Sequence, residues 1–308
     1  LGNIGDDALA IVPEGGGSAI ADKMEALKDW VSSGGTLIAL GSASAAIAKE
    51  KGGLGASRLL PDVLTKLDEH RQAVVREWEG RQTTPDPKAV WSFAPPAEVV
   101  YPWLIGEGGD KPSDDEAKRR DAWRSIFMPA GAVLAARVDD RSWLTGGCGE
   151  YVPVMYGSDP VLICPPDVQV PVRMGVFSVA PPKPPEPAKP EAKAEEKKPD
   201  EKKPDGKDDK KADDKKDEKK DDKKPAPGWT IAPPGFELRL RMSGLLWPEA
   251  ADRLANAAYV TRESIGNGQI ILFASDPNFR AATLGTARIF CNAVVLGPGM
   301  GASQAIKP

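Results

Sequence analysis

The stretch "GGTLIALGSASAAIA", residues 34–48, opens on a glycine pair and runs through Thr36 to Leu40 without polar alternation. It then passes a small-residue turn and continues at helical composition. A short unbroken apolar run bounded by glycine reads as a buried strand, and the small residues after it make a sharp strand-to-helix turn. Upstream, "ALAIVPEG" gives a second strand over Ala8 to Val12, stopped by Pro13-Glu14-Gly15. Between the two, "SAIADKMEALKDWVSSGG" places Ile20, Met24, Leu27 and Val31 at helical spacing, with Ser18 able to cap the start and Gly34 to end it. Strand, helix and strand within about thirty residues form a βαβ unit, whose right-handed crossover requires parallel strands.

Such a turn is where some α/β enzymes expose a catalytic Ser or Cys, a nucleophile elbow with small residues on either side of a strained position. Taking Gly41 as the first small residue places the nucleophile at Ala43, which has no reactive atom. Ser42 would be flanked by Leu40, which is too large. Ser44, between Ser42 and Ala46, is sterically acceptable and is the candidate nucleophile. The base would have to be His70, because the chain holds one histidine. His70 lies in "LTKLDEHRQ", among Asp68, Glu69 and Arg71, where a solvated surface position is expected. No Cys follows a strand and opens a helix. The turn thus has the shape of an elbow and lacks its chemistry.

One histidine cannot supply a catalytic zinc with its usual two or three imidazoles, so neither metal nor cofactor is expected in this segment. "PEGGGSAIADK" follows a strand and could offer an anion the N–H groups of Ser18 to Ile20. It matches neither a P-loop nor G-x-G-x-x-G, and a plain loop is the reading adopted. Cys148, Cys164 and Cys291 form no C-x-x-C pair and read as buried free thiols.

From Pro181 to Pro227 the chain consists of Pro, Lys, Asp, Glu, Ala and one Gly. With no aromatic or β-branched residue, this tract cannot bury enough apolar area to offset its ordering entropy and is expected to be disordered. Of the 41 Lys and Arg and 45 Asp and Glu in the chain, 16 and 15 lie here. The remainder is mildly acidic, without the clustered basic face of a nucleic-acid partner, and no run of about 18 apolar residues encodes a membrane span.

Beyond Glu50, Leu59 to Trp78 reads as a charged helix with Leu60, Leu64, Leu67 and Val74 on one face, and 81–121 as a long surface excursion carrying Trp91, Phe93, Tyr101 and Trp103. "GAVLAARV", "VPVMYG", "PVLICPP" and "VQVPVRMGVFSV" read as short strands. "FELRLRMSG" alternates Phe236, Leu238, Leu240 and Met242 on one face of an edge strand. A helix over Pro248 to Asn256 precedes a hairpin turning at Gly266-Asn267-Gly268, and a last helix over Thr286 to Leu296 turns Ile289, Phe290, Ala293 and Val294 toward the sheet. Neither half of the chain completes a sheet alone. The expected fold is therefore one α/β domain over 1–180 and 228–300, an open, mostly parallel flavodoxin-like sheet with helices on both faces and added antiparallel strands. The tract 181–227 is a loop insertion in it and 301–308 a flexible tail.

Residues 8–47 and the closing "GNGQIILFASDPNFRAATLGTARIFCNAVVLGPG", with "GAVLAARVDDRSWLTGGCGEYVPVMY" between them, resemble the C-terminal amidotransferase-like domain of certain large bacterial zinc carboxypeptidases of the carboxypeptidase A type. The resemblance implies a class I glutamine amidotransferase fold that lacks the catalytic triad, whose first strand and helix would precede Leu1. It places zinc in an upstream peptidase domain, which would be the partner in the same chain, and it implies an extracytoplasmic location. A peptide or cell-wall glycan is a further partner class. Similar domains occur in some β-galactosidases, and Trp91, Tyr101, Trp103 and Trp143 would be the aromatics of a sugar-stacking platform.

Overall fold

A computed structural model describes residues 8–64, 66–82, 113–179, 232, 233 and 235–300, and in places within 68–82 the backbone alone. The tract 181–227, the tail 301–308 and the aromatics Trp91, Phe93, Tyr101 and Trp103 lie outside the described residues.

The first strand, β1 (Leu9–Val12), leads into two short helices, α1 (Gly17–Ala21) and α2 (Met24–Ser33), and then β2 (Thr36–Leu40) and α3 (Ser42–Ile47). The single helix expected over residues 18–33 is thus two. Gly16, not Ser18, stands at the first N-cap, and Lys23 breaks the path with φ −124° and ψ 18°. The physical reason is that the halves answer to different neighbours. A side chain at Gly17 in α1 would touch Ala46 of α3, whereas Leu27, Trp30 and Val31 of α2 are buried in the core.

The chain continues through β3 (Arg58–Leu59), α4 (Leu67–Gln82), α5 (Asp114–Ser125), β4 (Ala132–Val138), β5 (Tyr151–Tyr156), β6 (Leu162–Ile163), β7 (Gln169–Met174) and β8 (Val176–Val179). It ends with β9 (Phe236–Arg239), β10 (Arg241–Ser243), α6 (Pro248–Leu254), β11 (Ala258–Ile265), β12 (Gly268–Phe273) and α7 (Leu284–Met300). The helix expected from Leu59 therefore starts only at Leu67; Leu59 is in a strand and Leu60–Asp62 forms a 3-10 turn. Ser113 caps α5, accepting a hydrogen bond from the Glu116 N–H.

The fold is α/β, with a parallel centre flanked by helices and extended by antiparallel strands. β2 lies between β1 and β12, parallel to both, with Ile38 opposite Ile11 on one side and Ile271 on the other. All five residues of β2 and all six of β12 are buried, as strands covered on both faces require. β11 turns back into β12 in the hairpin expected, with Gly266-Asn267 as its two-residue loop and Gly268 already in the strand, opposite Ile265. From β11 the sheet continues antiparallel to β7 and then β4. β5 follows one edge of β4, and β7 and β10 share the other. Ile289 and Ala293 of α7 are buried, with Phe290 and Val294 partly so.

"FELRLRMSG" does not form one strand with one apolar face. Its first half, β9, pairs with β8 in a separate two-stranded sheet, and its second half, β10, pairs with β4. The exchange falls at Leu240, whose carbonyl accepts from Ala135 N, so Leu240 is buried while Phe236 and Met242 are exposed. β7 and β8 part in the same way at Gly175, where φ is +88° and a Cβ would meet Leu238. Val179 and Phe236, which flank the charged tract, are register partners.

Candidate functional site

In open α/β sheets the crevice beyond the carboxyl ends of the parallel strands is the usual ligand position. Here it is formed by the segments that leave β1, β2 and β12. Leu40 passes into Gly41, whose φ +53° and ψ −120° lie where L side chains are strained. Its N–H donates to Phe273 O at the end of β12, 2.9 Å away. Gly41 is therefore the apex of the turn, and its neighbours two residues away, Ala39 and Ala43, are both fully buried small residues.

With Gly41 as a flank the nucleophile position falls on Ala43, and Ser44 is the candidate only with Ser42 and Ala46 as its flanks; the geometry puts Gly41 itself where an elbow holds its nucleophile, and Gly41 has no side chain. A Cβ built there would meet Glu14 Cγ and Cδ at 3.2 Å and Oε1 at 3.5 Å, so the side chain of Glu14 lies over the apex. The signal was present in the sequence: a glycine directly after a buried strand, with alanine two residues to either side.

Ser44 is fully buried, and its Oγ–H is directed to two backbone carbonyls, Ala39 O and Phe273 O, each 2.8 Å away. The hydroxyl ties the end of β2 to the end of β12 and has no proton left for a base. Its partners do not include His70. His70 itself, on α4, is 5% exposed, so the solvated position expected of it is incorrect. Val74, one turn on, is also buried, and the two mark the inward face of a helix whose sequence shows weak apolar periodicity. Ser42, in contrast, is exposed and accepts from Gly15 N at 2.9 Å, linking the loop after β1 to the turn after β2.

The Ser18 to Ile20 region does not present a row of free donors, because Ala19 N–H is bonded to Gly16 O. A shallow crevice of about 530 Å³ between α1 and α3 is lined by Gly15, Ser18, Ser42, Lys49 and Lys51.

Carboxylates gather around the same strand ends. Burial pushes the Asp159 carboxyl above its usual range, the N–H of Gly157 opposes this, and the charges of Glu14 and Asp276 add to it. Among the described residues no three His, Cys, Asp or Glu side chains converge as a metal-binding group. Because the folded pKa of Asp159 is raised, its contribution to stability is fully present below the unfolded carboxylate pKa and is lost as pH rises through the folded one. Asp159→Asn, which can still accept from Gly157 N, is expected to melt above the parent at pH 7, with the two melting curves converging as the buffer is acidified.

The cysteines differ from the expectation of three buried thiols. Cys164 is buried, Cys148 is intermediate, and Cys291 is exposed on the outer side of α7. Burial pushes the Cys164 thiol up to about 12. It also raises Cys148, against a smaller lowering by Arg288. Neither has the depressed pKa of a catalytic thiolate. Iodoacetamide followed by peptide mapping is expected to modify Cys291 first, Cys148 more slowly, and Cys164 only after denaturation.

Among the described residues no helix is long and apolar enough to cross a membrane. No family model, curated protein or solved structure matches this chain.

Proposed function

We propose that this chain is a non-catalytic accessory domain of amidotransferase-like plan, working beside a peptidase domain of a zinc carboxypeptidase that acts on peptides outside the cytoplasm. The observation that carries the non-catalytic part is Gly41: the apex of the strand-to-helix turn has no nucleophile, and the side chain of Glu14 lies over it. The commitment of Ser44 Oγ to two backbone carbonyls supports it further. The peptidase association rests on the resemblance of residues 8–47 and the closing segment, and zinc belongs to that partner domain.

The test is to express the reading frame extended upstream of Leu1 and to assay zinc-dependent release of C-terminal residues from peptides, with and without residues 1–308. Activity that persists without them, together with no labelling of Ser44 by a fluorophosphonate, is the expected result. An upstream frame without a peptidase, or stoichiometric labelling of Ser44, overturns the reading.

A further inference from the structure

Gln169 is the first residue of β7, which runs in the direction of β12, and Asp139 directly follows β4, which runs the opposite way. Both therefore stand at the amino end of the parallel strands, the end remote from Gly41. A crevice of about 490 Å³ opens between them, a size within the roughly 300–1,000 Å³ of small-molecule sites.

Its polar lining is fixed in place. Asp139 Oδ1 accepts from Arg141 N and Nε at 3.2 and 3.4 Å, and Arg141 Nη1 donates to Gly80 O at 3.0 Å. Arg262 Nη1 donates to Gln169 Oε1 at 2.7 Å, and its Nε to Gln269 Oε1 at 2.8 Å. With its carbonyl so engaged, Gln169 is left with the two N–H donors of its amide, and Asp139 with Oδ2 as an acceptor. Neither group has a partner among the described residues.

The charges in the lining balance, with Glu77 and Asp139 against Arg141 and Arg262. Arg173, the partner of Glu77, is 1% exposed and sits behind the lining. The crevice therefore has no excess charge to select an ion. Apart from Ser142 the remaining wall is apolar: Trp143 with valine and proline residues, Val170 and Pro171 among them. Donors and an acceptor set beside an indole match a ligand whose hydroxyl groups donate and accept and whose C–H face is apolar.

We propose that this crevice binds a neutral, polyhydroxylated ligand, one or two sugar rings, with Trp143 as the apolar platform and Gln169 and Asp139 as the hydrogen-bonding pair. The proposal deepens the reading of the chain as a non-catalytic binding domain, and its outcome does not depend on a peptidase partner.

The full chain is titrated with cellobiose, chitobiose and lactose by calorimetry and saturation-transfer NMR, with glucuronate and glucosamine as charged probes. At least one neutral disaccharide is expected to bind. Gln169→Ala and Trp143→Ala should each weaken it by about tenfold, the scale of one hydrogen bond or one ring contact. Trp143→Phe should retain most of the affinity. Trp123→Ala, at a 59% exposed position on α5, should leave it unchanged. Gln169 is exposed, so its variant keeps the test valid if Trp143→Ala fails to fold. Absence of binding by all three disaccharides, preference for a charged probe, or binding insensitive to Gln169→Ala overturns the proposal. Each of these outcomes leaves the Ser44 labelling and peptidase assays as they stand.

Discussion

Glu77→Ala is expected to destabilise the fold by about 3–5 kcal/mol, the cost of leaving a buried charge without its partner. Arg173, 1% exposed in the middle of the antiparallel strands, reaches Glu77 through both Nε and Nη2 and donates from Nη1 to Asn256 O. Asn256 also accepts from Arg137 Nη2 at 3.0 Å through Oδ1, and it holds a left-handed backbone, φ 57°, that Asn tolerates better than most residues. Arg137 is itself buried, with Nη1 donating to Met174 O and Gly175 O and its guanidinium over the Phe177 ring. Burial lowers its pKa most, the neighbouring Arg173 lowers it further, and Glu77 acts against both. One carboxylate thus offsets two buried cations.

At about 2–4 °C per kcal/mol for a domain of this size, the loss corresponds to a fall in Tm of roughly 6–20 °C. The paired change Glu77→Leu with Arg173→Met should recover much of it, because apolar side chains can replace a buried ion pair at little cost. Glu77 is 27% exposed. A single-variant loss below about 1 kcal/mol, the range of surface pairs, would mean that water at that opening already supplies the compensation.

Gly268→Ala should cost about 3 kcal/mol, at the upper end for an overpacked site. The requirement is space and not backbone freedom. A Cβ there would lie 2.1 Å from Val31 O and 2.3 Å from Gly35 O, so the hairpin tip rests directly on the end of α2. Both obstacles are backbone and cannot rotate away. Gly149→Ala, with nothing within 4 Å of the added atom, is the matched control and should change stability by no more than about 0.5 kcal/mol. Chemical denaturation of the three proteins measures this. Equal midpoints for the two variants would show that α2 can shift to make room.

What the sequence made legible follows from how local the determining signal is. The strand over Thr36 to Leu40 and the turn at Gly266-Asn267 were readable because an apolar run and a glycine-flanked hairpin are determined by adjacent residues. The break at Lys23, the exchange of partners at Leu240 and the burial of His70 were not, because each is imposed by a distant segment: α3, β4 and the core against which α4 packs. The elbow was legible in shape and misread in register. In sequence a glycine looks like spacing and Gly41 reads as a flank; only its positive φ reveals that it occupies the nucleophile position. The crevice at Gln169 had no sequence signature beyond Trp143, since Asp139, Gln169 and Arg262 meet only through sheet pairing.

The pairing of β2 with β12, with Thr36 opposite Gln269, joins residues 233 positions apart. At a translation rate of about 5–20 residues per second, β2 leaves the ribosome roughly 10–50 s before the strand that covers its second edge exists. Throughout that interval the apolar "TLIAL" segment has β1 as its one available parallel neighbour. The nascent chain is thus exposed to wrong pairing until β12 (Gly268–Phe273) is made. A stop codon shortly before Gly268 would remove an interior strand, the one that joins the parallel part of the sheet to the antiparallel part.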